Sequence, residues 1–281
     1  MPELPDLLYI QNYLRQAAIG HALTTIEVKQ PIVLRVAVSQ GVAEVLQHKI
    51  IREISIRGPF IRFGLSESID IVINLMLMGR LQHQRPGDKP EAHLCVSFSL
   101  DDGSALRLCD QQKMAKCYVT HQGSYDFIPL YQQQGIDILS DTFTMEAIRS
   151  LAAHHPRMQV RSFLNDHSLL SSIGNAYADE ILFAAKIHPK TFIATLSPDA
   201  LARLFASIRS VMQEGIRHVE EAQQPIHVKV RDHMKVRMHR GEPCPRCGTT
   251  IRREGVRGYD VYFCPGCQPS SRRLFLDWQK H

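Results

Sequence analysis

No stretch of this 281-residue sequence runs apolar for the about 18 residues that a membrane-spanning helix needs, and no basic-plus-apolar leader opens it. Neither a membrane span nor a signal peptide is therefore expected, and the expected setting is the cytoplasm. Acidic residues are scarce toward the end of the chain. Residues 225–281 hold five Asp/Glu against twelve Lys/Arg, an excess of +7 that leaves −2 for the remainder of a chain with net charge +5. A basic segment can be a merely solvated face, but this concentration suggests a polyanionic partner such as nucleic acid. Cysteine is sparse outside one cluster. Cys95, Cys109 and Cys117 stand alone in apolar or strand-like surroundings, which predicts buried, reduced thiols rather than a disulfide framework.

What the sequence does contain is enough apolar residues, 44% with 22% charged, for two domains and a sizeable core. Leu7, Leu8, Leu14 and Ala18 recur at near-helical spacing and Gly20 can close that helix. β-rich runs follow over 23–28, 50–56, 60–65, 69–77, 94–100 and 105–109, with Asp102-Gly103 as a hairpin signal between the last two. Residues 32–49 read as a strand or extended segment and then a short helix. Residues 122–142, rich in Gly, Pro, Gln and Asp, read as a linker. Helical patterning then covers 148–153, 160–164, 175–185 and 198–222. The predicted fold class is α+β and multidomain. An N-terminal β-sandwich with a leading helix occupies 1–130, a helical domain 131–230, and a zinc β-hairpin with a C-terminal extension 231–281.

Three motifs carry chemistry. Removal of Met1 would leave Pro2 as a free secondary amine, and an α-amino group is partly neutral at pH 7 and can attack an electrophilic carbon. Glu3 beside it can shuttle protons, although Pro-Glu is also how an ordinary helix begins. Gly174-Asn175 opens a helix, so its backbone amides and the Asn175 side chain suit a phosphate; the same pattern also fits a plain helix cap. Finally, Cys244-x-x-Cys247 and Cys264-x-x-Cys267 have the spacing of four thiolates closing on one structural Zn²⁺ at the base of a hairpin. Arg252, Arg253 and Arg257 between the pairs make that hairpin a candidate finger into a DNA groove.

Taken together, Pro2-Glu3-Leu4-Pro5, the run from Gly174 to Glu180 with Ile187-His188-Pro189 after it, and Arg240-Gly241-Glu242-Pro243-Cys244 resemble the formamidopyrimidine-DNA glycosylase and endonuclease VIII family. The resemblance spans nearly the whole chain. It implies a β-sandwich, a helix–two-turns–helix domain and a zinc hairpin that clamp DNA with the lesion flipped out of the stack. In the family the N-terminal proline attacks the deoxyribose carbon bearing a damaged base. The base leaves, and β- or β,δ-elimination resolves the iminium. That assigns Pro2 as nucleophile, Glu3 as its acid–base partner, and Gly174 and Asn175 to a backbone phosphate. The implied protein is a monomeric base-excision-repair enzyme that works on damaged duplex or single-stranded DNA at the nucleoid.

Departures from the family pattern fall on the lesion side. An early-strand lysine that assists at the sugar and phosphate is replaced in Arg57-Gly58-Pro59-Phe60, leaving Arg57 or Arg62 as candidates for the charge. The residues that fill the gap left by a flipped base correspond to Leu77, Lys113 and Met114, which keep apolar wedges and a cation but no aromatic ring; Leu77 and Met114 also fit as plain core residues. The hairpin arginine aligns with Tyr259, with Arg257 two residues earlier as the best substitute and Arg253 a further DNA-binding candidate. Residues 223–239, where oxoguanine-removing members carry a long capping loop, are short. These changes point to a lesion other than standard 8-oxoguanine. The alternative is a protein that binds damaged or distorted DNA and has lost turnover.

Overall fold

The computed structural model describes residues 1–39, 41–256 and 259–270. By its own contacts the chain divides into two compact units, one formed by 1–134 with 215–230 and the other by 135–214 with 231–281.

The first unit starts with α1 (Leu4–Ala17), whose entry is fixed chemically. Glu3 is its N-cap, Pro5 sits in the first turn where no amide is missed, and the Glu3 amide donates to Asp6 Oδ2 at 2.8 Å. Leu7, Ile10 and Leu14 on one face are buried, each worth roughly 1.5–3 kcal/mol of removal from water. They pack on two sheets. One runs in the order β1-β7-β8-β6, from β1 (Leu23–Val28), β6 (Arg80–Gln84), β7 (Leu94–Leu100) and β8 (Ala105–Cys109). The other runs β2-β9-β5-β4-β3, from β2 (Leu34–Ala37), β3 (Ile51–Arg57), β4 (Phe60–Leu65), β5 (Ile69–Asn74) and β9 (Lys116–His121). All pairings are antiparallel except β2 with β9. Alternating side chains such as Ile54, Ile71, Ile73, Phe98 and Leu106 fill the space between as one core. The short α2 (Val42–Leu46) closes one edge.

Two readings of the sequence need revision here. The run 69–77 ends as a strand at Asn74, because residues 75–79 turn instead: Asn74 Oδ1 accepts the Met76 amide at 2.9 Å, and the Gly79 amide donates to the Leu75 carbonyl at 2.9 Å. The stretch 122–142 is also more than a linker. Tyr125, Ile128 and Tyr131 pack on Phe60, Val72 and Tyr118 and cover the outer face of the second sheet. Polar composition hid three anchors spaced three residues apart. Cys95, Cys109 and Cys117 are buried and unpaired as expected, and burial pushes the Cys117 thiol up to about 12.

The second unit contains α3 (Met145–His154), α4 (Val160–Leu164), α5 (Asn175–Ala185) and most of α6 (Pro198–Glu221), followed by the hairpin of β10 (Arg252–Val256) and β11 (Tyr259–Phe263). Helix α5 is apolar nearly all round and is its central post: Tyr177, Ala178, Ile181, Leu182 and Phe183 are all buried. No helix among the described residues is long and apolar enough to cross a membrane.

Candidate active site

Two centres emerge, one in each unit. The first lies at the chain start. The Met1 amine donates to the Leu77 carbonyl at 2.9 Å, and the Lys229 ammonium reaches the same oxygen at 3.4 Å. Pro2 and Glu3 are buried beneath it. Burial, followed by Lys229, draws the amine down to about 5, while the carboxylates of Glu3 and Asp6 pull the other way. This amine belongs to Met1, and the ring nitrogen of Pro2 lies one residue further along, on the buried side.

The turn that supplies the Leu77 carbonyl is locked to a second loop. A Cβ on Gly79 would lie 2.3 Å from the Leu75 carbonyl oxygen and 3.0 Å from the Ala115 Cβ, so the two loops touch where only glycine fits. The loop at 110–115 winds around the buried Asp110, whose carboxylate accepts the amides of Gln112, Met114 and Ala115 at 2.8–2.9 Å. Lys113 takes a left-handed φ of 56 to close it. Leu77, Met78 and Met114 remain exposed, at 42%, 44% and 37%. Leu77 and Met114 are therefore not core residues. They stand out from rigid turns that their backbones help to build.

Arg57 and Arg62 are committed elsewhere in this unit. Gly58, at φ 55, and Pro59 form the two-residue turn between β3 and β4. Arg57 donates from Nε to the Tyr131 carbonyl at 2.7 Å and from Nη2 to that of Gln132 at 3.3 Å, and it lies over the Tyr131 ring. Arg62 forks onto Asp70 at 2.8 and 3.0 Å and also reaches Glu53, while the Tyr125 hydroxyl donates to the same Asp70.

The second centre surrounds the start of α5. Gly174 is its N-cap, and Asn175 is held by its oxygen: Oδ1 accepts from Arg161 at 2.9 Å and from Asn165 at 3.1 Å. With the oxygen so engaged, the Asn175 amide group keeps its nitrogen as a donor at the start of α5. Arg161 donates through Nε to Asp179 at 3.0 Å, Arg237 donates to the other oxygen of Asp179 at 2.8 Å, and both reach the Asp260 carbonyl on the hairpin. Asp179 is completely buried and also accepts the Tyr262 amide at 3.2 Å. Glu180 accepts three successive amides, those of Lys235, Val236 and Arg237, at 2.9 Å each. Sequence reading passed over Arg161, Asp179 and Arg237. The available signal was an Asp-Glu pair inside an otherwise apolar helix, where buried carboxylates demand partners.

The four cysteines of the hairpin module bring their Sγ atoms within 4.8 Å of one another, with Cys247 3.5 Å from Cys264 and 3.4 Å from Cys267. Four thiolates about 2.3 Å from one tetrahedral Zn²⁺ need edges close to these, so the set fits that ion and no protein group intervenes. Gly266 is needed because a Cβ there would meet the Thr249 hydroxyl at 2.6 Å and the Cys247 sulfur at 3.2 Å. The knuckle is fastened to α5 by Arg246, which donates to the Phe183 carbonyl at 2.9 Å and lies 4.2 Å from that ring's centre. Arg253 pairs with Asp260 at 2.8 Å on the outer hairpin. Arg257 and the stretch Arg272–Trp278 lie outside the described residues.

Three family models match this chain: the formamidopyrimidine-DNA glycosylase N-terminal domain over residues 1–117, the corresponding H2TH domain over 134–225, and the zinc finger found in FPG and IleRS over 241–269. The formamidopyrimidine-DNA glycosylase of Pelotomaculum thermopropionicum is 30% identical over 95% of this chain and 99% of its own length. This chain belongs to the formamidopyrimidine-DNA glycosylase family. A second such relative, from Symbiobacterium thermophilum, is 32% identical over 96% of this chain and 90% of its own. Among solved structures, the MutM (Fpg) protein of Thermus thermophilus superposes with a TM-score of 0.83 at 27% identity, covering 95% of this chain and 98% of the other. The Lactococcus lactis Fpg, solved with DNA containing an abasic site, superposes with a TM-score of 0.83 at 23% identity over 95% and 100% of the two chains. In this family the cysteine cluster is a structural zinc finger; Pro2 and Glu3 fall within the N-terminal match, and Arg161, Asn175 and Asp179 within the H2TH match.

Proposed function

We propose that this protein is a DNA glycosylase with abasic-site lyase activity, acting through the amine of Pro2 once Met1 is removed. The observation that carries the reading is the chain start itself. The amine of Met1 sits half-buried on the Leu77 carbonyl, and trimming Met1 would expose the Pro2 nitrogen one residue further in, where Pro2 and Glu3 are both buried. That nitrogen attacks the anomeric carbon of a flipped nucleotide. The C–N bond to the base breaks as Glu3, in its acid form, gives the departing base a proton; Glu3 then takes the proton the amine sheds and passes it to the ring oxygen O4′, so that the C1′–O4′ bond opens. The resulting iminium then loses the strand by β- or β,δ-elimination. Leu77, Lys113 and Met114 would occupy the space the nucleotide vacates, a role supported by their exposure on two linked turns. Gly174 and Asn175 supply neutral donors to a backbone phosphate. The zinc held by Cys244, Cys247, Cys264 and Cys267 is structural and keeps the hairpin folded. The short segment 223–239 and the missing aromatic wedge favour a lesion other than 8-oxoguanine.

Borohydride trapping on abasic-site DNA tests this mechanism. The Met1-trimmed protein is expected to form a covalent adduct, and Pro2→Gly is expected to lose most of it. Binding without any adduct, or equal trapping by Pro2→Gly, would sink the reading.

A further inference from the structure

The Pro59 position raises a question that Arg57 and Arg62 do not answer. Both guanidiniums are bound to carbonyls or carboxylates of the first unit, those of Tyr131, Gln132, Asp70 and Glu53. The cation found there arrives from another part of the sequence. Residues 215–230 pack with the N-terminal sandwich as part of the first unit. Ile226 is buried in its core among residues such as Leu7 and Ile10. The Gln224 carbonyl accepts from the Tyr9 hydroxyl on α1 at 2.7 Å, and His227 lies 3.5 Å from Glu91. These anchors leave Lys229, three residues past Ile226, with its exposed ammonium on the Leu77 carbonyl, which also accepts from the amine of Met1, the residue bonded to Pro2.

We propose that Lys229 is a positioning residue for the N-terminal amine and supplies the positive charge that Pro59 cannot. The inference rests on the function proposed above. Two ammonium groups on one carbonyl oxygen repel, so a proton on Lys229 disfavours a proton on its neighbour. The groups facing the amine are Lys229 on one side and Glu3 and Asp6 on the other, and only the lysine works together with burial to keep the amine neutral. The shortness of the segment 223–239 acquires a purpose: a compact connection delivers a lysine to the nucleophile.

Lys229→Met and Lys229→Arg, in the full-length Met1-trimmed, zinc-loaded protein, separate charge from packing. The side chain is exposed, so both are expected to fold with unchanged thermal midpoints. Trapping by Lys229→Met at pH 7 is expected to fall by up to about 10-fold, the limit set by an ordinary terminal amine that is only about one-tenth neutral at that pH, with Lys229→Arg recovering most of it. The acid limb of trapping is expected to lie below that of an ordinary terminal amine in the parent and to move up toward it in Lys229→Met. The amine is also read without DNA, by reductive ¹³C-methylation and NMR titration of the terminal N-methyl signal. An unchanged titration and unchanged trapping in Lys229→Met would overturn the proposal. A shifted titration in a protein that traps no abasic DNA would support the lysine–amine coupling while removing the lyase reading.

Discussion

The chain start and the N-terminus of α5 both bury charge, and they treat it in opposite ways. At Asp179, two guanidiniums and an amide oppose a burial that still pushes the carboxyl up to about 6, and Glu180 next to it takes three amides. At the chain start, a half-buried amine is placed beside a like charge, with only Glu3 and Asp6 to offset it. A satisfied ionic cluster is a joint that ties helix, loop and hairpin together. An amine pressed toward neutrality costs folding energy and gains reactivity, which is the mark of a group kept for chemistry.

Glu3→Gln breaks the reactive side of this comparison most directly. The amide keeps the size and the hydrogen-bonding oxygen at the helix start, so the thermal midpoint is expected to stay close to the parent's, within the about 1 kcal/mol typical of a cap. Proton transfer is lost. The single-turnover rate of strand cleavage on a glycosylase substrate is expected to drop by about 10²–10⁴-fold, whereas borohydride trapping on a preformed abasic site falls less because no base has to leave. An equal loss on both substrates would mean that Glu3 acts on the amine alone.

Asp179→Asn does the converse. It leaves Arg161, itself buried, and Arg237 without their shared carboxylate, and an orphaned buried charge costs about 3–5 kcal/mol. The expected result is a markedly lower denaturation midpoint, with weaker DNA binding because Asn175 loses the arginine that orients it. A loss under about 1 kcal/mol would show the cluster to be wet and dispensable, and the contrast with the chain start would collapse.

The elements of this fold were largely readable from sequence because their signals are local. α4 and α5 fall on the expected residues, as do β1, β4, β7 and β8, since apolar periodicity and turn residues lie within each segment. The cysteines were readable for the same reason: their spacing is the site. What escaped was set by pairing between distant segments. β6 and β9 carry weak alternation and are strands because β8 and β5 hold them. Arg161, Asp179 and Arg237 are 18 and 58 residues apart along the chain and meet only after folding. Lys229 stands 152 residues from the carbonyl it touches, in a segment whose shortness was visible and whose destination was not.

The smallest perturbation probes how firmly the lesion-side turns are fixed. Gly79→Ala adds one methyl group whose carbon would sit 2.3 Å from the Leu75 carbonyl oxygen and 3.0 Å from Ala115, both parts of well-packed backbone or core. The turn at 75–79 must therefore shift, at about 1–3 kcal/mol for overpacking. Leu77 belongs to that turn, and its carbonyl holds both the terminal amine and Lys229, so one displacement moves the wedge and loosens the nucleophile together. Trapping is expected to fall by more than the stability loss alone explains, and duplex affinity to fall less. If Gly79→Ala lowers the thermal midpoint yet traps abasic DNA at the parental rate, the amine is held by Glu3 and α1 rather than by the Leu77 carbonyl, and the reactive corner is smaller than the geometry implies.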